Sequence, residues 1–381
     1  MPIRLRLLLV SLLLCPLLSP CSAKAAAPYP VTVTDMAGRQ VTITQPPQRI
    51  ALQDGRIVLD LALLDRTNPF ARVVVWNNML SRADKPFWAV MSGKWPQAKT
   101  IPDMGFNDNG AVNLEEIVAE KPQLLIAELR ARPALEQAGV MRVLASLNIP
   151  VLFIDDAVNP VPGAARSVTL LGQVLNRPSE ARAYTEFYNA HLASMDAVIH
   201  AVPQPHPTVF VEALAGQNDA DACCFTHGNF GWGLLVQDVG AANLGSKLLD
   251  SPSGTVSMET LLALQPDVFI VTDHSPGSAT SPGFGYGANP AQLASSFRAL
   301  QARTGFSTLN AARQDHVYGI YHAFYTSPYN IVGLEYLAKF IYPKPFASLD
   351  PAQTYHTLIT SFTDIPPAPV ILGQQAPAFG H

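Results

Sequence analysis

The segment Val112-Asn113-Leu114-Glu115-Glu116-Ile117-Val118-Ala119-Glu120-Lys121-Pro122-Gln123-Leu124-Leu125-Ile126 returns 144 positions later as Val256-Ser257-Met258-Glu259-Thr260-Leu261-Leu262-Ala263-Leu264-Gln265-Pro266-Asp267-Val268-Phe269-Ile270. Valine, glutamate, alanine, proline and isoleucine recur at the same offsets. Each copy opens on a helix N-cap type, Asn113 or Ser257, whose side-chain oxygen satisfies a first-turn N–H. A short helical stretch comes next, a proline ends it, and a β-branched, apolar strand begins. Solenoids repeat every ~20–50 residues, so this longer spacing predicts two similar lobes. Two lobes enclose a cleft.

Around the repeat, strand and helix patterns alternate, which predicts an α/β chain with parallel sheets flanked by helices. In the first half, Val31 to Ile43 reads as a hairpin about Met36-Ala37-Gly38-Arg39. Apolar runs at 48–52, 73–76, 124–127 and 151–154 read as strands, with helices at 57–64, 114–119 and 133–147. Helices are then expected over 164–175 and from Pro178 to about Ile199, the second starting on proline. At ~1.5 Å per residue the latter spans roughly 30 Å, enough to act as a stiff spine. The second half repeats the pattern, with strands at 208–213, 268–272 and 316–321 and helices near 230–240, 258–264, 292–304 and 331–340. The glycine-rich stretch 275–290 lacks periodicity, and such long loops are functional or mobile. The domains expected are an N-terminal lobe at 28–162, a helical linker at 163–202, a C-terminal lobe at 203–345, and a proline-rich, partly disordered segment at 346–381.

Residues 1–27 read as a secretory signal, with Arg4 and Arg6 ahead of the apolar run Leu7–Leu18 and small residues at 23–27. Pro16 and Pro20 keep that run short of the ~20 apolar residues a membrane span needs. Cys21 raises lipoprotein anchoring as the lesser alternative, because Pro20 suits a lipidation site poorly. Only the adjacent Cys223 and Cys224 remain beyond the signal, as a vicinal disulfide or as buried thiols, so no disulfide scaffold is present. A net charge of −4 with 14% charged residues lacks the basic footprint of a nucleic-acid binder.

These residues resemble a known group. Val33-Thr34-Asp35-Met36-Ala37-Gly38-Arg39-Gln40-Val41-Thr42-Ile43 with Pro47-Gln48-Arg49-Ile50, the paired Asn/Ser-x-Glu units, and Arg313-Gln314-Asp315-His316-Val317-Tyr318 are similar to the iron-siderophore/cobalamin class of periplasmic binding proteins. The likeness runs from about Val31 to Tyr342. It implies two lobes joined by one backbone helix, ligand held between them, and modest closure. It further implies a monomer that serves an ABC importer, with Glu115 and Glu259 pairing with arginines of the permease dimer. A carboxylate in a helix's first turn is favoured by the helix dipole alone, by ~0.3–1 kcal/mol; the dipole does not ask for the same offset twice.

Ligands of open parallel sheets bind beyond the carboxyl ends of the strands. Residues just past the strand ends supply the candidate ligand contacts Arg56, Trp76, Asn107, Arg130, His227, His274, His322 and Tyr325. The run Tyr321-His322-Ala323-Phe324-Tyr325-Thr326-Ser327-Pro328-Tyr329 is the most unusual, since clustered aromatic faces with polar tips suit a large, partly apolar ligand. Arg56 and Arg130 suit the negative charge of an iron chelate. The histidines, the cysteines, Glu212 and Asp273 also raise a direct metal site, but their spacings match no compact motif.

The expectation is therefore capture of a ferric siderophore or related metal chelate for import, with no cofactor and no turnover. Haem, cobalamin or a free metal ion on the same fold is the alternative. A secreted hydrolase would need a Gly-x-Ser-x-Gly elbow, which the sequence lacks.

Overall fold

The computed structural model describes residues 29–105, 112–216 and 223–378. The apolar runs of the first half form a four-stranded parallel sheet in the order Val73–Trp76, Ile50–Leu52, Leu124–Glu128, Val151–Ile154. Alternation along these strands feeds two cores. Ala51, Val75, Leu125, Ala127 and Phe153 face a small one closed by the helices Leu114–Ala119, Arg132–Gln137 and Val140–Ser146. Ile50, Leu52, Leu124, Ile126 and Leu152 face the large one.

The second half forms a separate sheet in the order Gly373–Gln375, Val317–Tyr321, Val268–Asp273, Thr208–Ala213, Ala242–Asn243. All are parallel except the Gly373–Gln375 strand. Leaving that strand aside, both sheets place their strands in the chain order 2-1-3-4. The repeated motif supplies the third strand of each, so the internal repeat is one of topology as well as of sequence.

The spine is the 22-residue helix Pro178–Ile199. Tyr184 donates its hydroxyl to Pro328 O, and the Tyr188 hydroxyl lies 2.8 Å from Asn330 Oδ1 and 3.0 Å from Val161 O. Burial raises the pKa of both phenols, so they stay protonated as donors. The large core runs from the first sheet's inner face through this helix and Pro160–Val174 into the second lobe. The lobes are thus packed on a common rod.

Three expectations are corrected. The helix expected over 133–147 is two helices, separated at Gly139, whose φ of +72° no helix continues through. The stretch 275–290 is not a free loop: Gly285–Tyr286 pairs with Val370–Ile371, and Ser281 to Tyr286 are buried. The segment from 346, expected to be partly disordered, forms the helix Pro351–Phe362 and two short strands as far as it is described. It is ordered because Tyr321 N donates to Leu372 O at 2.8 Å and Ala376 N to Val317 O at 2.8 Å, completing the sheet edge. Residues 1–27, expected to be a secretory signal, lie outside the described residues.

Candidate functional site: the cleft between the lobes

The C-terminal ends of both sheets point at each other. From the second lobe, the strand Val268–Asp273 delivers His274, and Val317–Tyr321 delivers His322 and the one-turn helix His322–Thr326. The short strand Phe225–His227 delivers His227. The rings gather: His322 lies 4.7 Å from Tyr325, 5.1 Å from His274 and 6.4 Å from His227 between centroids, and His227 lies 5.0 Å from Tyr325. Gly231 permits this. A Cβ there would lie 2.5 Å from the Tyr325 ring and 2.9 Å from His227 Nδ1, and its φ is +46°.

Two of the three imidazoles are held by hydrogen bonds. His322 Nδ1 is 2.7 Å from Thr272 Oγ1, and His227 Nδ1 accepts from Trp232 N at 3.2 Å. Burial pushes the His227 pKa down to about 4. Burial also lowers that of His322, helped by repulsion from His274, His227 and Arg56. Both rings are therefore neutral at pH 7; His227, whose Nδ1 accepts, carries its proton on Nε2 and is a donor there, while the free role of His322 follows from whether Thr272 donates or accepts.

The first lobe faces this cluster with Arg56 and with a helical insertion, Met79–Ala83 and Lys85–Lys94. Arg56 Nη2 binds Asp54 Oδ2 at 2.6 Å, while Nη1 donates across the cleft to Thr326 Oγ1 at 2.8 Å. Arg130 donates to the same Asp54 Oδ2. Burial opposes ionisation of Asp54, but the Arg56 charge and hydrogen bonds, with Arg130, outweigh it and hold its carboxyl well below the usual range. Behind this trio Asp60, Glu128 and Asp156 are fully buried, and burial followed by neighbouring carboxyls pushes all three well above that range. One ionised carboxylate thus serves two guanidiniums, which leaves the trio net positive. Asp84 caps the Lys85–Lys94 helix through Phe87 N at 3.1 Å and accepts the Tyr321 hydroxyl on Oδ2. Phe87 meets Tyr286 at 4.9 Å.

Between these walls lies a cavity of about 40 Å³, lined among others by Arg56, Asp84, His274, His322, Tyr325 and Tyr355. The structure thus joins four of the expected contacts, Arg56, His274, His322 and Tyr325, around one space, with His227 against their rings. Two expectations are corrected. Trp76 is wholly buried against Phe70 and Trp88, in the core rather than the cleft. Arg130 does not line the cavity and braces Asp54 instead. Asn107 lies outside the described residues. Sequence reasoning missed Asp84, Phe87 and Tyr355. The Asp84-Lys85-Pro86 helix start was legible as a capping signal, but nothing local placed it across the cleft.

Glu115 and Glu259 are both exposed at their helix starts. Asn113 Oδ1 accepts from Glu115 N at 3.1 Å, and Ser257 Oγ accepts from Thr260 N at 3.2 Å. Neither glutamate has an ion-pair partner among the described residues.

A family model described as periplasmic binding protein matches residues 50–322. The chain is 23% identical over 326 residues to an uncharacterized ABC transporter substrate-binding lipoprotein, YvrC, of Bacillus subtilis, covering 84% of this chain and 87% of that one. The fold is similar to that of the TroA-like periplasmic binding protein FepB of Veillonella parvula, with TM-score 0.83, 22% identity and 91% and 100% of the two chains covered. It is also similar to CeuE of Helicobacter pylori in its Ni-His complex, with TM-score 0.63, 15% identity and 88% and 96% covered. The duplicated lobes, the rigid helix and the ringed cleft accord with these likenesses, and the chain belongs to the periplasmic binding protein family.

Proposed function

We propose that this protein is exported by its N-terminal segment, captures a metal chelate between its lobes and hands it to the permease of an ABC importer without turning it over. The observation that carries the reading is the gathering of His274, His322 and Tyr325 opposite Arg56 at one cavity, with His227 packed on the His322 and Tyr325 rings. Imidazole and phenol groups suit a metal's open positions or a chelator's donors. Arg56, pinned by Asp54 and Thr326, suits a chelator's negative oxygens. Among the described residues, the histidine nitrogens do not converge within 4.8 Å as a group of three. That spread favours a chelate lying along the rings over a bare ion.

Size favours a small cargo as the second reading. A cavity of about 40 Å³ is far below the ~300–1,000 Å³ of pockets for drug-sized ligands. A bulky ferric siderophore or haem needs the lobes to part. A compact chelate, of the size of the nickel–histidine complex seen with CeuE, needs less.

The test is a fluorescence titration with ferric hydroxamate and catecholate chelates, nickel–histidine, haem, cobalamin and bare metal salts. Trp232 lies 6.3 Å from Tyr325, so cargo in the cleft will change its emission. A chelate that binds below micromolar and fails with His322→Ala supports the reading. Tight binding of a bare ion alone sinks it.

A further inference from the structure

Away from the cleft, the second lobe holds a cluster that cargo binding does not use. Glu212, Cys223 and Cys224 are each buried, at 3%, 8% and 1% exposed, and a carboxylate oxygen and both Sγ atoms lie within 4.8 Å of one another. None of the three lines the cleft cavity. The cysteines are joined as a disulfide. Arg303 reaches into the group: its Nη1 lies 2.9 and 2.8 Å from the two Glu212 oxygens, 3.5 Å from Cys223 Sγ and 3.9 Å from Cys224 Sγ. A single cationic nitrogen therefore occupies the point on which both Glu212 oxygens and the two sulfurs converge. A buried point of that kind is suited to a cation.

We propose that reduction of the Cys223–Cys224 disulfide opens a second metal site, in which both thiolates and Glu212 hold a borderline divalent cation such as Zn²⁺. The chemistry balances. A dithiol reductant gives two electrons and two protons to the S–S bond and leaves as its own disulfide. The two new thiols then lose two protons as the ion binds, because the thiolate is the ligand. Charge balances as well: Glu212 with Arg303 is neutral while the disulfide stands, and two thiolates with a divalent ion add nothing net. Sulfur with carboxylate oxygen is a donor set for Zn²⁺ rather than for Mg²⁺ or Ca²⁺. Arg303 withdraws from the sulfurs and keeps one Glu212 oxygen.

The site has a structural reach. Cys224 and Val256 exchange backbone hydrogen bonds, and Val256 directly precedes Ser257, which caps the helix carrying Glu259. Three residues beyond Cys224 stands His227 of the cleft.

The experiment uses Co²⁺ as a visible substitute on full-length mature protein, reduced with a phosphine, freed of reductant and kept anaerobic. Thiol titration should find two free thiols only after reduction. Reduced protein should then develop a thiolate-to-cobalt absorption saturating at one equivalent, while oxidised protein shows none. Cys224→Ser should abolish the band, Glu212→Gln should weaken Co²⁺ binding roughly tenfold, and His322→Gln should leave the band in place. The proposal is overturned if reduced, natively folded wild type gives no band. It is equally overturned if the band survives Cys224→Ser or disappears with His322→Gln, which would put the ion in the cleft.

Discussion

Tyr321, at the end of a second-lobe strand, donates its hydroxyl to Asp84, the cap of a first-lobe helix, and the buried bond crosses the cleft. Burial, and then Asp84 itself, raise the Tyr321 pKa, so the phenol remains a donor throughout the physiological range. Tyr321→Phe leaves Asp84 Oδ2 without its donor, a loss of about 1–3 kcal/mol from the closed form alone. Cargo release, followed by stopped-flow fluorescence, should accelerate roughly tenfold, with a smaller change in on-rate. An unchanged release rate would mean that the bond does not hold the lobes together.

Acid should weaken both fold and binding through the histidines. The folded pKa of His227, about 4, lies below the unfolded value near 6.5. The unfolded chain therefore takes up protons first, and stability is full above pH ~6.5 and falls as pH drops toward 4. His322 is lowered in the same direction. Asp60, Glu128 and Asp156 are shifted the opposite way and gain stability in acid, so the test is a difference: the melting-temperature gap between wild type and His227→Gln should narrow as pH falls from about 6.5 toward 4.

Asp54→Asn should be among the most damaging single changes in the first lobe. It leaves the Arg56 and Arg130 guanidiniums, at 17% and 19% side-chain exposure, without their shared carboxylate. Breaking a buried pair by removing one partner costs about 3–5 kcal/mol. Urea denaturation should show a lower midpoint with an unchanged slope, and cargo affinity should fall because Arg56 is no longer pinned.

Reversal of the two exposed glutamates tests delivery apart from capture. Glu115→Arg with Glu259→Arg should abolish uptake in cells while leaving cargo affinity in vitro unchanged. Loss of affinity in the double variant would assign these residues to the fold rather than to docking.

Truncation after Pro366 should expose the edge of the strand Val317–Tyr321 by removing its antiparallel partner, Gly373–Gln375. An unpaired edge invites pairing with another chain. The truncated protein should unfold at lower urea and aggregate, as read by light scattering. A truncated form as stable as the full chain would make the tail an ornament.

The internal repeat carried much of the fold into view. Asn113 and Ser257 cap as their types predict, and the strands beginning at Leu124 and Val268 come after their prolines, because caps, breaks and alternation are local properties of the chain. His322 and Tyr325 were visible as candidate site residues, and the structure places both at the cleft cavity, because ligands of parallel sheets bind beyond the strand ends. Trp76 occupies an equivalent position and lies in the core instead. Side-chain direction there is set by Phe70 and Trp88, the latter on a helix that no periodicity pointed to.

What the order of residues determined by itself was duplication: two parallel sheets, a long helix between them, and glutamates at matching helix starts. Contacts between distant segments belonged to the tertiary structure. Asp84 meets Tyr321 across 237 residues, Arg56 meets Thr326 across 270, and the C-terminal strand completes a sheet whose other members precede it. Such pairings depend on how two lobes are rotated about a rod. That angle is fixed by side-chain packing along the shared core, which short-range pattern does not encode.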